Sequence, residues 1–574
     1  MRYYNQALPI AQEVGDRSGE AVTLNNIGEV YRRIGQPQEA LTYFNQALPI
    51  RQEVGDRSGE ATTLSNIGGV YNGIGQPQKA ITHLEQSVQI YLQMRQGFVR
   101  ENRPEFLQQE RGTVIALTDL LIQQQQPDQA FEWINRFTAA ALADYNRLLG
   151  ARFVDPATQQ AVDQWNQNNQ QLQTLQQALQ TQFSEPLSRQ MRAKEAEVSQ
   201  QAEAIARQYP EAAELFETTP EDLAQLRAAI PQGSLVVQPV LLTGVNNVPD
   251  TIAFFILSKD QPVMVKQVPL DSPAFDALVD QYRQQVQERR NPGFAASQEQ
   301  LYDLLIRPIE AEIAAAAPTQ LSFILTGKLR YIPFETLYNT QTGQHLIEQY
   351  PVNYLTRLST RSPRLAAQSN STTSSSRSVF ALGNPVPTPP QNLDGAEAEA
   401  KAIAQIVPGS QTFLEAQATL DAFKTQAPRF PFLHLATHGC FDPEGCPGIN
   451  MQTNTLLLAD QQFNIADAAL LGLTNTQLIV LSACQTAQQA DANGEEISGL
   501  AYLFERAGAR AVIASLWSAA DAPTQEIMVQ FYQNLQQGMS KTEALRQAKL
   551  SYLRDHPETH PFFWSPLVLI GNVD

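Results

Sequence analysis

The sequence predicts an α plus α/β chain: an amino-terminal α-helical solenoid and helical hairpin, then a three-layer α/β domain with a mostly parallel sheet. Three observations predict it. The first 90 residues repeat with a period of 40. Residues 157–208 are rich in Gln, Ala and Leu and hold few helix breakers. Beyond Pro231-Gln232-Gly233, short apolar runs alternate with helical stretches.

The segment Gln12-Glu13-Val14-Gly15-Asp16-Arg17-Ser18-Gly19-Glu20-Ala21 recurs unchanged at 52–61. Each copy continues with Ile27-Gly28 or Ile67-Gly68, then Tyr31 or Tyr71, then Gly35-Gln36-Pro37 or Gly75-Gln76-Pro77, then Ala40 or Ala80. The small residues mark where paired helices approach closely, and Gly-x-Pro marks the turn between them. This pattern resembles the tetratricopeptide repeat in an extended-length form. The resemblance implies a solenoid with a concave face for a protein partner. Tyr3–Ile10 aligns with Tyr43–Ile50, so the chain opens on the second helix of a repeat.

Residues 1–95 are thus assigned to repeats, and 96–150 to a degenerate helical pair with Trp133 and Phe137 in its core. Residues 151–230 form long Gln-rich helices, read as an antiparallel hairpin. Residues 231–365 are the first part of the α/β region, with strands at 235–242, 252–258, 263–268 and 321–325 and helices at 275–288 and 299–316. The Ser-rich run 366–378 is a linker and an exposed place for processing, with Arg377 a candidate site in it. In 379–574, strands are expected at 379–382, 432–436, 478–483 and 511–516, and helices at 395–406, near 498–507, at 522–537 and at 541–553.

Two apolar runs end in reactive side chains: 431–436 leads to Thr437-His438-Gly439, and 478–483 leads to Cys484. Groups just beyond the carboxyl ends of parallel strands are where such sheets place ligands and catalysis. A thiol at neutral pH needs a base or a lowered pKa to act as a nucleophile. His438 is the candidate base and Cys484 the candidate nucleophile, 46 residues apart. The amides of Gly439 and Cys484 are the candidate oxyanion hole. His434 lies inside its apolar run and reads as a core residue. Cys440 and Cys446 read as free thiols in a loop, and no metal or cofactor is called for.

Several ordered motifs resemble the CHAT domain, a caspase-like family of clan CD cysteine peptidases. They are His434-Leu435-Ala436-Thr437-His438-Gly439, Leu481-Ser482-Ala483-Cys484-Gln485-Thr486-Ala487, Ser515-Leu516-Trp517 and His560-Pro561-Phe562-Phe563-Trp564-Ser565-Pro566. Gly327–Glu335, Leu382–Pro385 and Gly499–Ala501 add to them. The resemblance covers about 230–574 and implies a caspase-like fold with a His438–Cys484 dyad. The part before the linker would be a companion subdomain. Two positions depart from the family's usual pattern: Gln485 stands where Glu is frequent, and Leu325-Thr326-Gly327 replaces a segment that often holds Asp.

By the same resemblance, the stretch from Ser515 to Asp521 lines the pocket for the residue before the cleaved bond. Asp521 there would favour a basic residue, with Trp517, Asp442 and Asp491 nearby. The competing and favoured reading of Asp521 is a helix-capping residue, because Ala522-Pro523 follows it.

The formal net charge of −18 argues against a nucleic-acid binder and against docking to an anionic membrane. Three cysteines are too few for a disulfide framework and fit a reducing compartment. Met1–Gln6 holds no apolar signal core, so a cytoplasmic location is expected. The expected function is a cysteine endopeptidase acting on protein or peptide substrates, with the repeats recruiting substrate or regulator. The competing expectation is a catalytically silent scaffold for protein–protein interaction.

Overall fold

The structure, a computed structural model, describes residues 1–95, 103–149, 152–153, 155–209, 212, 221–359, 377–385, 393–441, 445–482, 484–485, 495–517 and 519–572. It divides into two compact units. One comprises Met1–Asp144, Asp155–Pro220 and Leu242–Pro249, and the other Tyr145–Val154, Glu221–Leu241 and Asp250–Asp574.

The first unit is helical. Its elements are α1 (Arg2–Glu13), α2 (Arg17–Arg33), α3 (Pro37–Val54), α4 (Arg57–Gly73), α5 (Pro77–Arg95), α6 (Arg103–Gln123), α7 (Pro127–Leu149), α8 (Pro156–Thr181) and α9 (Glu185–Gln208). The repeated residues explain the repeated ends. Asp16 and Asp56 accept the amides of Gly19 and Gly59 and so cap α2 and α4. Gly35 and Gly75 take left-handed φ values of 75° and 72°, which cost glycine little, and Pro37 and Pro77 open the next helices. A Cβ on Gly28 would stand 2.8 Å from the Phe44 ring, so the small residue does mark a close helix approach. The degenerate pair is centred differently from the expectation. Phe131 and Ile134 are among its buried residues, with Val114, Leu117 and Leu121 of the preceding helix, whereas Trp133 and Phe137 are half-buried. The reason is polar: the Trp133 indole donates to Glu85, and Arg95 and Arg136 stack on Phe137 and Trp133. Helices α8 and α9 form the hairpin, each capped, by Asp155 and Ser184, and Trp165 is buried between them with its indole donating to the Val198 carbonyl.

The second unit is built on strands. In order they are β1 (Ser234–Leu242), β2 (Thr251–Ser258), β3 (Met264–Pro269), β4 (Gln320–Ile324), β5 (Tyr338–Asn339), β6 (Gln344–His345), β7 (Val352–Leu355), β8 (Val379–Gly383), β9 (Gln411–Leu414), β10 (Phe432–Ala436), β11 (Gly439–Cys440), β12 (Thr455–Leu457), β13 (Gln462–Asn464), β14 (Leu478–Leu481), β15 (Cys484–Gln485), β16 (Ala511–Ser515) and β17 (Leu567–Gly571). Eleven of them form one sheet in the order β3-β2-β1-β4-β7-β17-β16-β14-β10-β8-β9. Most described pairings are parallel, while β2 with β3 and β16 with β17 are antiparallel.

The last strand in the chain therefore joins two half-sheets, since β17 lies between β7 and β16. Asn353 pins this seam. Its Oδ1 accepts from Gln320 and Ser322, and its Nδ2 donates to the Gly571 carbonyl. Along β10 and β14, alternate residues enter different cores. Leu433, Leu435, Ile479 and Leu481 pack on the face that carries the helix Glu495–Arg506. Phe432, Leu478 and Val480 pack on the face covered by the helices Asp394–Ile406 and Asp521–Gln536. This is the three-layer arrangement expected.

Three local differences stand out. The single helix expected at 299–316 is broken into Phe294–Leu305, a 3-10 turn at Arg307–Ile309 and Glu310–Ala316, because Pro308 cannot continue an α-helix. In the eleven-stranded sheet β7, β9 and β17 are additional to the expected set, as are the short strands β5, β6, β11, β12, β13 and β15 outside it. Of the proposed linker, 366–376 lies outside the described residues.

Candidate active site

The sheet brings β10 and β14 side by side in parallel, with Leu435 opposite Leu481. Their chains then re-pair in a smaller sheet, where β11 and β15 run parallel with Gly439 opposite Cys484. Between the two ladders the offset of partners changes from 46 to 45. The His-bearing chain therefore carries one more residue than the Cys-bearing chain over this stretch. Such a slip bends the longer strand and re-aims a side chain, and His438 is the residue just before pairing resumes. Its main chain is held on the far side by β12: Thr437 Oγ1 donates to the Leu457 carbonyl at 2.7 Å, and the Leu457 amide donates to the His438 carbonyl at 2.8 Å. The imidazole is half-buried.

Cys440 and Cys446 form a disulfide, which corrects the expectation of free thiols. The two cysteines stand six positions apart in the sequence, and the Cys446 amide donates to the Met451 carbonyl at 2.8 Å. The count of three cysteines excluded a framework of several bridges but carried no information on one local pair. Among the described residues, no cluster of three or more His, Cys, Asp or Glu side chains is arranged to hold a metal.

The remaining sequence candidates fall as follows. Trp517 is 3 % exposed and its indole donates to the Phe562 carbonyl at 3.2 Å. Asp521 is exposed and is the first residue of its helix, with Ala520 at the cap position and no side-chain cap bond. Its carboxylate lies against Gly395, where a Cβ would meet Asp521 Oδ2 at 3.1 Å. Asp442 and Asp491 lie outside the described residues. Arg330, from the Gly327–Glu335 motif, donates to the Leu325 carbonyl and lines a cavity of ≈ 20 Å³ with Ser498, Leu516 and Val568. That volume holds about one water and no side chain.

His434 is fully buried, as its place in an apolar run implies, but it is not surrounded by apolar groups alone. Its Nε2 lies 3.2 Å from Glu399 Oε1, close enough for an ion pair although not aligned as a hydrogen bond. Its Nδ1 lies 3.4 Å from the Tyr532 hydroxyl. Sequence reasoning did not single out Glu399, Ser482 or Tyr532.

A mostly parallel sheet with a histidine and a cysteine at adjoining strand ends thus follows, in the chain, a unit of helical repeats. Residues 295–572 match the family model of the CHAT domain, and residues 2–53 and 21–93 match that of the tetratricopeptide repeat. The chain is a tetratricopeptide-repeat protein carrying a CHAT domain. It is 26 % identical over 333 residues to tetratricopeptide repeat protein 28 of Homo sapiens, covering 50 % of this chain and 13 % of that protein. The Mus musculus protein of the same name is 24 % identical over 321 residues, with 47 % and 13 % covered. The chain thus spans about an eighth of the length of these relatives. Among solved structures, the Arg-specific cysteine proteinase gingipain R aligns at 11 % identity over 53 % of this chain and 74 % of its own, with a TM-score of 0.33. The Saccharomyces cerevisiae separase–securin complex aligns at 9 % identity over 99 % of this chain and 48 % of its own, with a TM-score of 0.40. No helix among the described residues is long and apolar enough to cross a membrane.

Proposed function

We propose that the chain is a cysteine endopeptidase that hydrolyses protein substrates through His438 and Cys484. The observation that supports it is the pairing of Gly439 with Cys484, which draws two chain positions far apart in sequence to one strand edge. In the proposed reaction His438 takes the thiol proton and the Cys484 sulfur attacks the peptide carbonyl carbon. The oxyanion is held by the Gly439 and Cys484 amides. His438 returns the proton to the leaving amine, and water then cleaves the thioester to release the acid and restore the thiol.

A basic residue before the cleaved bond fits the exposed acid Asp521, with Asp442 and Asp491 as further acids and Trp517 as packed support. Repeats of this kind serve protein–protein interaction. Here they would recruit a substrate or a regulator.

The test is a thiol-reactive peptide probe with Arg before its warhead, applied to the wild type, Cys484→Ala and His438→Ala. Labelling of the wild type alone supports the reading, and library profiling of cleavage then reports the preferred residue. Equal labelling of the wild type and Cys484→Ala rejects it in favour of a scaffold role.

A further inference from the structure

Beneath the strand ends that carry His438 and Cys484 lies a chain of polar groups sealed in an apolar layer. Glu399, His434, Ser482 and Tyr532 are 4 %, 0 %, 6 % and 1 % exposed. Around them pack Phe432, Leu478, Val480, Ala400, Ile403 and Ile527. Ser482 Oγ donates to Glu399 Oε1 at 2.8 Å and reaches Oε2 at 2.9 Å. Glu399 Oε1 in turn faces His434 Nε2, and His434 Nδ1 faces the Tyr532 hydroxyl. Burial and the Glu399 charge hold the Tyr532 hydroxyl well above its ordinary pKa, so it stays protonated and able to donate.

A carboxylate in such a layer costs several kcal/mol unless partners compensate it. An apolar side chain at 399 would pack without that cost, so the polar chain needs another reason to be there. Its position supplies one. Ser482 is two residues before Cys484, and His434 four before His438. The Ser482 amide donates to the Leu435 carbonyl at 3.1 Å, the last bond among the described residues between these two chains before the one-residue slip. Glu399, from the covering helix, thus bonds the Cys-bearing chain and stands 3.2 Å from the His-bearing one, on the sheet side of the point where they part.

We propose that Glu399, His434 and Ser482 form a positioning unit that sets the approach of His438 to Cys484. None of the three touches substrate. They act through the two strand ends, and Tyr532 orients the far nitrogen of His434. This inference rests on the peptidase reading of the His438–Cys484 pair.

The experiment uses the full chain without reductant, so that the Cys440–Cys446 bond stays closed. The rate of Cys484 alkylation by iodoacetamide is followed against pH, with the thermal unfolding midpoint measured in parallel. The variants are His438→Ala, Ser482→Ala, Ser482→Thr, Glu399→Gln and, as a packing control in the same layer, Ile527→Val. His438→Ala is expected to raise the pH at which the thiol becomes reactive. Ser482→Ala and Glu399→Gln are expected to slow alkylation by about tenfold at neutral pH, the loss of thiolate that follows a rise of about one in thiol pKa. Ser482→Thr, which keeps the hydroxyl, restores the profile, and Ile527→Val leaves it unchanged. If Ser482→Ala and Glu399→Gln keep the wild-type profile while His438→Ala shifts it, the positioning unit is refuted and the dyad survives. A profile indifferent to His438→Ala removes the dyad and this inference with it. A shift in Ile527→Val as large as in Ser482→Ala reduces the effect to packing and also refutes the unit.

Discussion

Lys549 and Glu335 form an ion pair in which both side chains are buried, and Lys549 also donates to the Leu567 carbonyl at the start of β17. Glu335 comes from the segment after β4, and Lys549 from the helix Lys541–Asp555, which packs on the face of the later strands. The pair therefore ties the companion half of the sheet to its carboxyl-terminal half. Burial pushes the Glu335 carboxyl up and the Lys549 ammonium down, and each opposes that shift in the other.

Lys549→Met should cost about 3–5 kcal/mol in unfolding free energy, because it strands a buried carboxylate. Replacing both, as Lys549→Met with Glu335→Leu, should recover most of the loss. In the single variant the Glu335 pKa rises further. Stability is then greatest below the ordinary carboxylate range and is lost as pH rises through the raised value. Urea unfolding at two pH values measures both effects, and equal loss in the single and double variants would count against the pair.

The same contrast between local and long-range determinants explains what was legible from sequence. The repeat period and its capping Asp and turn Gly residues are local, and their structure follows them closely. Strand β14 is uniformly apolar, as are β10 and β16 apart from His434 and Ser515, and all three announce themselves. β7 reads Val-Asn-Tyr-Leu, and its Asn353 is polar because it pins the seam to Gly571, a contact 218 residues away. Glu399 sits in Ala-Glu-Ala-Glu-Ala-Lys, which resembles a solvated helix face. Glu397 does pair there with Lys401 at the surface, while Glu399, two residues on, turns inward to Ser482. Periodicity alone separates these glutamates only when the buried neighbours Ala400 and Ile403 are already placed.

His560 predicts a pH dependence. Its Nδ1 accepts the Phe562 amide at 3.0 Å, capping the helix Pro561–Trp564, and its Nε2 donates to the Asn291 carbonyl at 3.1 Å. The first bond requires the neutral ring, because a protonated Nδ1 cannot accept, whereas the second can be made by either form. Burial lowers its pKa, against the opposing bond to Asn291. The unfolded chain therefore binds the proton first, and stability falls as pH drops below about 6.5 toward the lowered folded value. His345, also lowered chiefly by burial and opposed by Glu348, adds to the same trend. His560→Asn keeps a capping oxygen and removes this titration. The fall in unfolding midpoint between pH 7 and 5.5 should be smaller in His560→Asn than in the wild type, and an unchanged fall would exclude the assignment.

The Cys440–Cys446 bond gives a countable outcome. Protein denatured and alkylated without reductant should take one label, on Cys484, and three labels after reduction. Three labels without reductant would show that the loop carries free thiols, as a reducing compartment requires.

Two neighbouring glycines of α4 should respond to alanine with opposite signs. A Cβ on Gly68 would stand 2.8 Å from Leu84 Cγ and 3.2 Å from the Ala80 carbonyl oxygen of the adjoining helix, whereas one on Gly69 meets nothing within 4 Å. Neither has a left-handed φ, so alanine fits both backbones. At Gly69 only the helix propensity changes, and Gly69→Ala should stabilise by about 0.5–1 kcal/mol. At Gly68 the same gain is opposed by overpacking against a neighbour that includes backbone, at about 1–3 kcal/mol. Gly68→Ala should therefore lower the unfolding midpoint of the repeat unit while Gly69→Ala raises it. Because the two sites share one helix and one substitution, a common sign would mean that the close approach of α4 to α5 does not set the repeat's glycine pattern.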